Sequence, residues 1–357
     1  MKRIPITLLM AAALTALDLQ ANWYKGNTHT HTINSDGNAT PDFVARWYRE
    51  HGYNFVVITD HEYLTDVAPL NAVYAREGQF LVIPGQEVTQ HLGKSRDPRH
   101  PDVRPGGHLN GLNLKRPVVP LGGTYGKTKG FAPPEMTMAE TYDRNIKEIL
   151  AAGGVAQINH PNWHWYVRLD DLWGLPDHTL FEVWNGQLTI NNLGGTDDDG
   201  NSSPSTEAMW DALLSKGKKI WAVADDDSHN YFHLDEERRV IPGQAWVVVR
   251  AAKLTADDLM TALHNGDFYA STGIVLDDIV ASPKDYAIAI KGSSGDARFL
   301  TRFIGREGRV LAEVPGTKPH YVMKGDEGYV RASIIDSNGV RAWTQPVFLD
   351  GDKVTAK

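Results

Sequence analysis

Short apolar runs alternate with amphipathic stretches between residue 23 and about residue 250 of the chain. Five of these runs, each four or five residues long and rich in large apolar side chains, lie at residues 55–59, 80–84, 155–158, 180–184 and 220–224. Runs of this length and composition are typical of strands buried in a parallel sheet. The sequence therefore predicts that these segments form the centre of the fold.

Amphipathic segments with recognisable ends lie between the apolar runs. Thr40-Pro41 begins one segment that ends at Gly52, and two others span Thr137–Ala152 and Thr206–Lys216. A hydroxyl side chain at the start, proline in the first turn and glycine after the last turn are common at α-helix boundaries. Strands that alternate with helices of this length predict an α/β fold built on a parallel sheet or a closed barrel.

Two parts of the chain depart from this alternation. Residues 94–134 are rich in Gly, Pro and basic side chains, so we expect long loops around a single strand at residues 107–114. From residue 276 onward the pattern consists of short strands separated by turns that contain Gly, Ser and Asn. Residues 276–357 are therefore predicted to form a small antiparallel β-domain.

The first 21 residues have the pattern of a secretory signal peptide. Lys2 and Arg3 precede an apolar run from Ile6 to Leu17, and residues 19–21 (Leu-Gln-Ala) offer a cleavage site. The run is too short to span a bilayer and no other segment is apolar enough, so we expect no membrane span. The mature protein is expected to be periplasmic or secreted. A buried first helix is the alternative interpretation.

Length and composition are those of an ordinary globular protein. The 357 residues exceed the size at which single cores usually stop growing, so two domains of unequal size are expected. The net charge of -8, without an evident basic patch, argues against a nucleic-acid duplex as partner. The chain contains no cysteine, so it offers neither a lipoprotein attachment site nor a disulfide framework.

Histidines and carboxylates recur in short runs, and nearly every run follows a strand-like stretch. The runs are His29-Thr30-His31 with Asp36, Asp60-His61, Glu87 followed by His108, then His160, and Asp227-Ser228-His229. Side chains two apart in a strand face the same side, so the first two histidines can bind one ion together. Imidazoles and carboxylates without thiolates are the ligand set of a hydrolytic metal site. Ligands at several strand exits indicate one shared site at the carboxyl face of a barrel.

These runs resemble the motifs of the PHP (polymerase and histidinol phosphatase) superfamily. The similarity lies in residues 28–31 (Thr-His-Thr-His) with 35–37, and in residues 58–61, 85–87, 107–110, 159–161 and 226–229. The chain is more closely similar to the secreted branch that includes carbaryl-hydrolase-like enzymes. The resemblance covers about residues 23–275. It implies a distorted (β/α)7 PHP-type barrel over residues 22–275, followed by the small antiparallel β-domain.

The resemblance also implies a cluster of two or three divalent metal ions, and zinc, manganese and iron all suit these ligands. The first ion would be bound by His29, His31, Glu87 and Asp227. Glu87 would bridge to a second ion, which would also be bound by His108 and His160. The third ion would be bound by Asp36, His61 and His229.

Two of these assignments have alternatives nearby in the sequence. The loop before His108 also offers His91 and His100 as ligands. Asp226 is adjacent to Asp227, and we expect it to support the site from outside the ligand shell because the spacing to the following histidine favours Asp227.

A metal cluster of this kind has two chemical effects on a hydrolytic reaction. It lowers the pKa of a bridging water toward ~7, which supplies hydroxide near neutral pH, and it neutralises the oxyanion of the transition state. Glu87, Asp227 and Arg168 are the predicted catalytic residues. Arg168 follows the His160 run closely, and its guanidinium could bind phosphate through two hydrogen bonds; a solvated loop charge is the alternative.

Two further groups of side chains are candidates for substrate contact. The loop between the Glu87 and His108 motifs is locally basic and contains Lys94, Arg96, Arg99 and Arg104. An aromatic group near His160 could line an apolar leaving-group pocket or pack between barrel and loops, and it consists of Trp163, Trp165, Tyr166 and Trp173.

Three functions are compatible with this sequence. The first is a secreted metal-dependent phosphoesterase that hydrolyses small-molecule phosphate mono- or diesters with a metal-bridging hydroxide. The second is an aryl carbamate, ester or amide hydrolase that uses the same metal site, which the aromatic group and the closer branch favour. The third is a metal-dependent binding module. The sequence does not predict the physiological substrate or the oligomeric state.

Overall fold

A computed structural model describes residues 21–127, 129–197, 200–232, 240–292 and 298–349. The signal peptide predicted for residues 1–21 therefore lies outside the described residues except for its last position. Within these ranges the chain is a mixed α/β protein with a large central sheet and few helices. No helix in the described ranges has both the length and the apolar character that a membrane crossing needs.

The described ranges contain five α-helices, which are α1 (Pro41–Glu50), α2 (Ala68–Tyr74), α3 (Met138–Ala151), α4 (Thr206–Ser215) and α5 (Ala256–Asn265). The strands in the first half of the chain are β1 (Asn22–Asn27), β2 (Phe55–Ile58), β3 (Leu81–His91), β4 (Gly106–Leu112), β5 (Gly130–Phe131), β6 (Val155–Ile158), β7 (Leu180–Asn185), β8 (Gly195–Thr196), β9 (Ser202–Ser203) and β10 (Trp221–Asp225). The remaining strands are β11 (Trp246–Ala251), β12 (Phe268–Ser271), β13 (Leu276–Ala281), β14 (Asp285–Ile290), β15 (Phe299–Gly305), β16 (Arg309–Pro315), β17 (His320–Val322), β18 (Tyr329–Asp336), β19 (Arg341–Thr344) and β20 (Val347–Phe348).

Capping residues mark the boundaries of several helices. The Thr40 side chain accepts a hydrogen bond from the backbone of Phe43 at the start of α1. Thr137 and Glu140 form a reciprocal capping box at the start of α3, which satisfies two backbone N–H groups that the helix leaves free. Helix α5 is followed by Gly266, whose φ of 79° is the left-handed conformation that glycine adopts without strain.

The central sheet places the predicted strands side by side but not all in one direction. Its strands follow the order β10-β7-β6-β4-β3-β2-β1-β11-β12-β19-β18-β15-β16. The pairs β2–β3, β6–β7 and β7–β10 are parallel, as predicted, and β1 is also parallel to β2. Strand β4 runs antiparallel to both of its neighbours, β3 and β6. The chain reverses between β3 and β4 through a loop over residues 92–105 without a crossover helix, and such a connection joins antiparallel strands.

The two ends of the parallel strand series approach each other at their carboxyl ends. Thr30, beyond β1, and Ser228, beyond β10, form an isolated parallel bridge. In this bridge the backbone N–H of His31 donates to the carbonyl oxygen of Ser228 at 2.9 Å. The exits of β1 and β10 are therefore held together at the face where the candidate ligands lie.

The strands beyond residue 275 are mostly antiparallel and partly continue the central sheet. Strand β12 pairs with β19, so the hydrogen-bonded ladder crosses the predicted boundary at residues 275 and 276. A separate sheet contains β13, β14 and β17. Polar contacts also link the two regions: the Gln345 side chain exchanges two hydrogen bonds with the backbone of Ala222 in β10. The C-terminal strands therefore support the strand that precedes Asp227.

Candidate metal centre

The fold brings all nine predicted ligand side chains to one place, at the carboxyl ends of the parallel strands. His29, His31 and Asp36 follow β1, His61 follows β2, and His160 follows β6, while Asp227 and His229 follow β10. Glu87 and His108 lie within the paired strands β3 and β4. Strand exits are the usual origin of active-site residues in such sheets, because the carboxyl ends of parallel strands meet at one edge.

Glu87 lies at the centre of the group and contacts histidines with both carboxylate oxygens. Its Oε2 atom lies 3.1 Å from Nε2 of His29 and 3.1 Å from Nε2 of His31. Its Oε1 atom lies 3.1 Å from Nδ1 of His108 and 3.3 Å from Nε2 of His160. Because Glu87 is only 1% exposed, these contacts are made away from solvent. This two-sided arrangement is the geometry expected of a carboxylate that bridges two ions.

Asp227, which follows β10, completes a buried group of ligands that also contains His29, His31 and Glu87 and is called the inner group below. Its Oδ1 atom lies 3.2 Å from Nε2 of both His29 and His31. The Asp227 backbone has a φ of 46° and that of His160 a φ of 23°, both in the left-handed region. Non-glycine residues in this region store strain and cluster at functional sites, where the surrounding structure holds them.

A second, more exposed group lies beside the inner one. His229 Nε2 and His61 Nε2 lie 3.3 Å and 3.7 Å from the two Asp36 oxygens, and His31 Nδ1 lies 3.5 Å from Asp36 Oδ1. The Asp36 side chain is 56% exposed, whereas those of His61 and His229 are 22% and 18% exposed. His31 therefore contacts the buried group through one ring nitrogen and the exposed group through the other.

Close approach of ligand atoms defines four groups among the described residues that could each bind a metal ion. They are His29–His31–Glu87–Asp227, His31–Asp36–His61–His229, His61–Glu87–His108 and His29–Glu182–Asp225. The first matches the predicted set for the first ion, and the second adds His31 to the predicted set for the third ion. The third contains two residues of the predicted second set, Glu87 and His108, but pairs them with His61 instead of His160.

Electrostatics at the inner group favours positive charge. Burial opposes protonation of His31, but the Asp227 and Glu87 carboxylates outweigh it and raise the pKa of His31 to about 10. Burial likewise opposes ionisation of Glu87, yet the surrounding histidines hold the pKa of Glu87 well below its usual value. Ionised carboxylates that attract protons to adjacent histidines would attract divalent cations to the same place, and cation binding would release those protons.

A buried ligand atom that lacks a hydrogen bond also indicates that these residues fit a metal ion. Nε2 of His31 is fully buried and makes no hydrogen bond of acceptable geometry, although Glu87 Oε2 and Asp227 Oδ1 lie within 3.2 Å of it. An ion between these three atoms would satisfy all of them, whereas a buried nitrogen without a partner is costly. Burial lowers the pKa of His61 and of His108 to about 4, which keeps both imidazoles neutral, the form that binds metals.

The alternatives that the sequence left open lie outside the inner group. His91 is close to His108, but its Nδ1 atom contacts the carbonyl oxygen of Arg104 at 2.7 Å. The Asp226 carboxylate accepts hydrogen bonds from Tyr48 and from the backbone of residues 243–245, so it anchors that segment beneath the site. Asp60, which precedes His61, accepts hydrogen bonds from Thr32, Ser35 and Thr65 and shapes the turn before Asp36.

Sequence reasoning missed several buried polar residues that contact the ligands. Glu182 Oε1 lies 3.1 Å from Nδ1 of His29, and both side chains are fully buried. Asn185 donates to Asp227 Oδ2 at 3.0 Å, and Asn159 donates to Glu87 Oε1 at 2.9 Å. One signal was available: Glu182 is a charged residue in the middle of the apolar strand β7, and such a residue needs a buried partner.

A cleft of about 940 Å³ opens over the ligand group and is lined on one side by aromatic residues. Trp163, Trp165 and Tyr166 line it, and the Trp163 ring lies 4.8 Å from the His108 ring. Trp173, which the sequence placed in the same aromatic group, lines a separate cavity of about 690 Å³. The aromatic group is thus divided between two places.

The basic residues near the cleft differ in how they are engaged. Arg96 donates to both Asp171 oxygens at 2.7 and 2.6 Å, and Arg99 is paired with Asp97 at 2.5 Å. Arg168 is exposed and lines the cleft, and its guanidinium makes no ion pair with the carboxylates of the described residues. Two of the four basic residues of the predicted loop, Arg96 and Arg99, are therefore paired with carboxylates, whereas Arg168 lines the cleft without such a pair among the described residues.

No protein-family model matches the chain, and no curated protein is significantly similar to it. Among solved structures, it is similar to a two-domain protein from Bacteroides vulgatus ATCC 8482 described as containing a predicted PHP-like metal-dependent phosphoesterase. The sequences are 15% identical, the match covers 93% of this chain and 96% of that chain, and the TM-score is 0.45. An amidohydrolase from Chromobacterium violaceum with bound sulfate is 16% identical over 61% of this chain and 93% of that chain, with a TM-score of 0.35.

Proposed function

We propose that this protein is a secreted, metal-dependent hydrolase that acts on small-molecule phosphoesters. The observation that carries the proposal is the position of Glu87 between two sets of histidines, next to the buried and unsatisfied Nε2 atom of His31. Structural metal sites normally close with four protein ligands, whereas this site joins buried ligands to an open cleft. An ion at the base of a cleft is accessible to a substrate.

The ligand sets support two or three divalent ions of zinc, manganese or iron. His29, His31, Glu87 and Asp227 would hold the first ion. Glu87 would bridge to the second with His108 and with His160 or His61, and Asp36, His61 and His229 would hold the third with the other ring nitrogen of His31. When bound, such ions lower the pKa of a water molecule and neutralise charge that develops on the substrate.

A phosphoester suits the charges that the protein presents around this centre. Arg168 faces the cleft, and a guanidinium can donate two parallel hydrogen bonds to phosphate oxygens. In this proposal Arg168 binds and orients the phosphate group, while Glu87 and Asp227 would hold the metal ions. A diester would be a substrate if the cleft accommodates its second ester group, and a monoester would be the substrate if it does not.

We also propose a domain organisation and a cellular location for this protein. The bridge between Thr30 and Ser228 supports a distorted (β/α)7 barrel over residues 22–275 that is closed at the site end. A C-terminal β-domain over residues 276–357 and a cleaved signal peptide over residues 1–21 complete this organisation. Export to the periplasm or the medium follows from the signal peptide.

One observation favours a second candidate function. Trp163 lies beside His108 and, with Trp165 and Tyr166, gives one wall of the cleft an aromatic surface. Such a wall suits the aromatic leaving group of an aryl carbamate, ester or amide. A hydroxide held by the same metal centre could attack the carbonyl carbon of such a substrate. A metal-dependent binding module is the remaining alternative, and it predicts no turnover of any substrate.

A comparison of three chromogenic substrates tests the proposal. The metal-reconstituted protein is assayed with bis(p-nitrophenyl) phosphate, p-nitrophenyl phosphate and an aryl N-methylcarbamate, each with and without chelator. We expect chelator-sensitive turnover of a phosphate ester and little turnover of the carbamate. Turnover of the carbamate alone would replace the proposal with the second function, and no turnover by metal-loaded protein would favour the binding module.

A further inference from the structure

Glu182 occupies an unusual place for a charged side chain, in the middle of strand β7 with no exposed surface. Its Oε1 atom lies 3.1 Å from Nδ1 of His29, which is also fully buried. On the other edge of the same imidazole, Nε2 faces Glu87 Oε2 at 3.1 Å and Asp227 Oδ1 at 3.2 Å. His29 therefore lies between Glu182 and the inner ligand group.

Carboxylates face both nitrogens of His29, so this placement would fix the proton on Nδ1 when a metal ion occupies the space beside Nε2. A carboxylate at hydrogen-bond distance from Nδ1 accepts an N–H from that atom, so the lone pair of the neutral ring is left on Nε2. The lone pair then points to the space between Glu87 and Asp227. A carboxylate that accepts from the free nitrogen of a ligating histidine fixes the ring orientation and increases its basicity.

The second oxygen of Glu182 supports two other ligand-bearing segments. Oε2 accepts the backbone N–H of His160, the residue whose φ of 23° needs support from its surroundings. It also accepts from Nδ2 of Asn185 at 3.0 Å, and the same amide nitrogen donates to Asp227 Oδ2 at 3.0 Å. One carboxylate is thus in contact with His29 and His160, and it reaches Asp227 through a single side chain.

Asp225 is the nearest competitor for this role, and its geometry is less suitable. Its Oδ1 atom lies 3.6 Å from Nδ1 of His29, beyond hydrogen-bond distance. Its Oδ2 atom accepts from Thr28 at 3.2 Å and from Gln157 at 2.9 Å, so it is used away from the ligands.

We propose that Glu182 is a positioning residue that sets the tautomer of His29 and holds the His160 and Asp227 segments in the geometry that binds metal. The inference rests on the metal-binding part of the proposed function but not on the identity of the substrate. It assigns to Glu182 no contact with substrate and no part in bond cleavage.

The test is the affinity of the full-length Glu182→Gln variant for zinc, measured by competition with a chromophoric chelator. Gln has the same shape as Glu, but its amide presents one acceptor and one donor. The amide donor must therefore face either the His29 Nδ1–H or the His160 backbone N–H, and one of the two hydrogen bonds is lost. We expect zinc affinity to fall by about 10- to 100-fold, the usual effect of removing such a support.

Glu327→Gln is the matched control for this substitution. Glu327 is 1% exposed and accepts hydrogen bonds from the backbone of Lys324 and Gly325 and from the Tyr321 hydroxyl, none of which belongs to the ligand group. This variant is expected to lose folding stability while its zinc affinity stays at the wild-type value. A role for Glu182 in folding alone would make the two variants behave alike.

A spectroscopic readout tests the tautomer directly. In zinc-loaded protein labelled with ¹⁵N-histidine, we expect a protected imidazole N–H resonance that is present in wild type and in Glu327→Gln but lost or shifted in Glu182→Gln. Unchanged zinc affinity and an unchanged resonance in Glu182→Gln would overturn the inference, as would a wild-type protein that binds no zinc. Weakened zinc binding without turnover of any phosphoester would contradict the proposed substrate and leave this inference standing.

Discussion

Oδ1 of Asp227 lies 3.2 Å from Nε2 of His31, so the exits of strands β10 and β1 meet at one point. The backbone hydrogen bond from His31 to the carbonyl oxygen of Ser228 stabilises this contact. It places a carboxylate and an imidazole at a distance at which one ion can bind both. The inner group therefore depends on the correct approach of the first and last parallel strands.

Replacement of Asp227 by Asn is expected to lower metal affinity and phosphoester turnover by at least ~100-fold, more than the loss of a supporting residue usually costs. The amide keeps the volume of the side chain but removes the charge that His29 and His31 face. Turnover and bound metal are measured on protein whose circular dichroism matches the wild type. The exposed Asp278→Asn serves as control, and a variant of Asp227 with most of its activity would contradict the ligand assignment.

Replacement of Arg168 by Met is expected to raise KM for phosphoesters by roughly 10- to 100-fold, because a hydrogen bond to a charged group is worth about 1.5–3 kcal/mol. Carbamate hydrolysis, if present, should change little because its substrate is neutral. The control is Arg99→Met, since Arg99 is already paired with Asp97. Equal losses in both variants, or none in Arg168→Met, would remove Arg168 from phosphate binding.

The sequence predicted those parts of the fold and site that depend on local pattern. Runs such as residues 55–58 became buried strands because their side chains are apolar on both faces. Thr137, the hydroxyl residue at the start of the predicted segment, placed the start of α3 within one residue. Seven of the nine candidate ligands follow strands, where parallel geometry brings them together, and Glu87 and His108 were recognisable by their motifs although they lie within β3 and β4.

Features that depend on contacts between distant segments could not be predicted in the same way. The antiparallel direction of β4 results from the path of the loop over residues 92–105, which has no periodic pattern. Glu182 appeared as one polar residue in an apolar strand, and only the approach of β1 gave it His29 as a partner. The aromatic group was divided because Trp173 lies beside α4, in the second cavity.

A third prediction concerns the junction between α4 and the C-terminal strands. Arg331 in β18 is fully buried. Its guanidinium donates hydrogen bonds to both oxygens of Asp211, at 2.7 and 2.6 Å, and to Glu207 at 2.9 Å. Arg331→Met is expected to lower the free energy of unfolding by about 3–5 kcal/mol, because it leaves two carboxylates without their partner. Urea denaturation measures the change.

The matched control for this prediction is Arg302→Met. Arg302 pairs with Glu313 at 2.8 Å on the surface, where both side chains are about half exposed. Exposed pairs contribute about 0–1 kcal/mol, so this variant should unfold close to the wild type. Similar denaturation midpoints for the two variants would show that the buried pair contributes no more than the exposed one.

A fourth prediction concerns the pH dependence of stability at the same junction. Burial opposes ionisation of Glu207, but Arg331 outweighs it and holds the pKa of Glu207 below its usual value. A carboxyl group with a depressed folded pKa stabilises the fold above its unfolded pKa of about 4.3, and the contribution is lost as pH falls through the folded pKa. The stability difference between wild type and Glu207→Gln should therefore shrink as pH falls below about 4.3. A difference that is independent of pH would contradict the pairing.

The measurement that tests the central claim most directly is anomalous diffraction at the zinc absorption edge from crystals of the zinc-loaded protein. We expect one anomalous peak among His29, His31, Glu87 and Asp227, and at least one more on the other side of the Glu87 carboxylate. These positions would show that Glu87 bridges ions at the base of the cleft. Diffraction that shows no peak within bonding distance of Glu87 would contradict the metal centre and, with it, the proposed hydrolase.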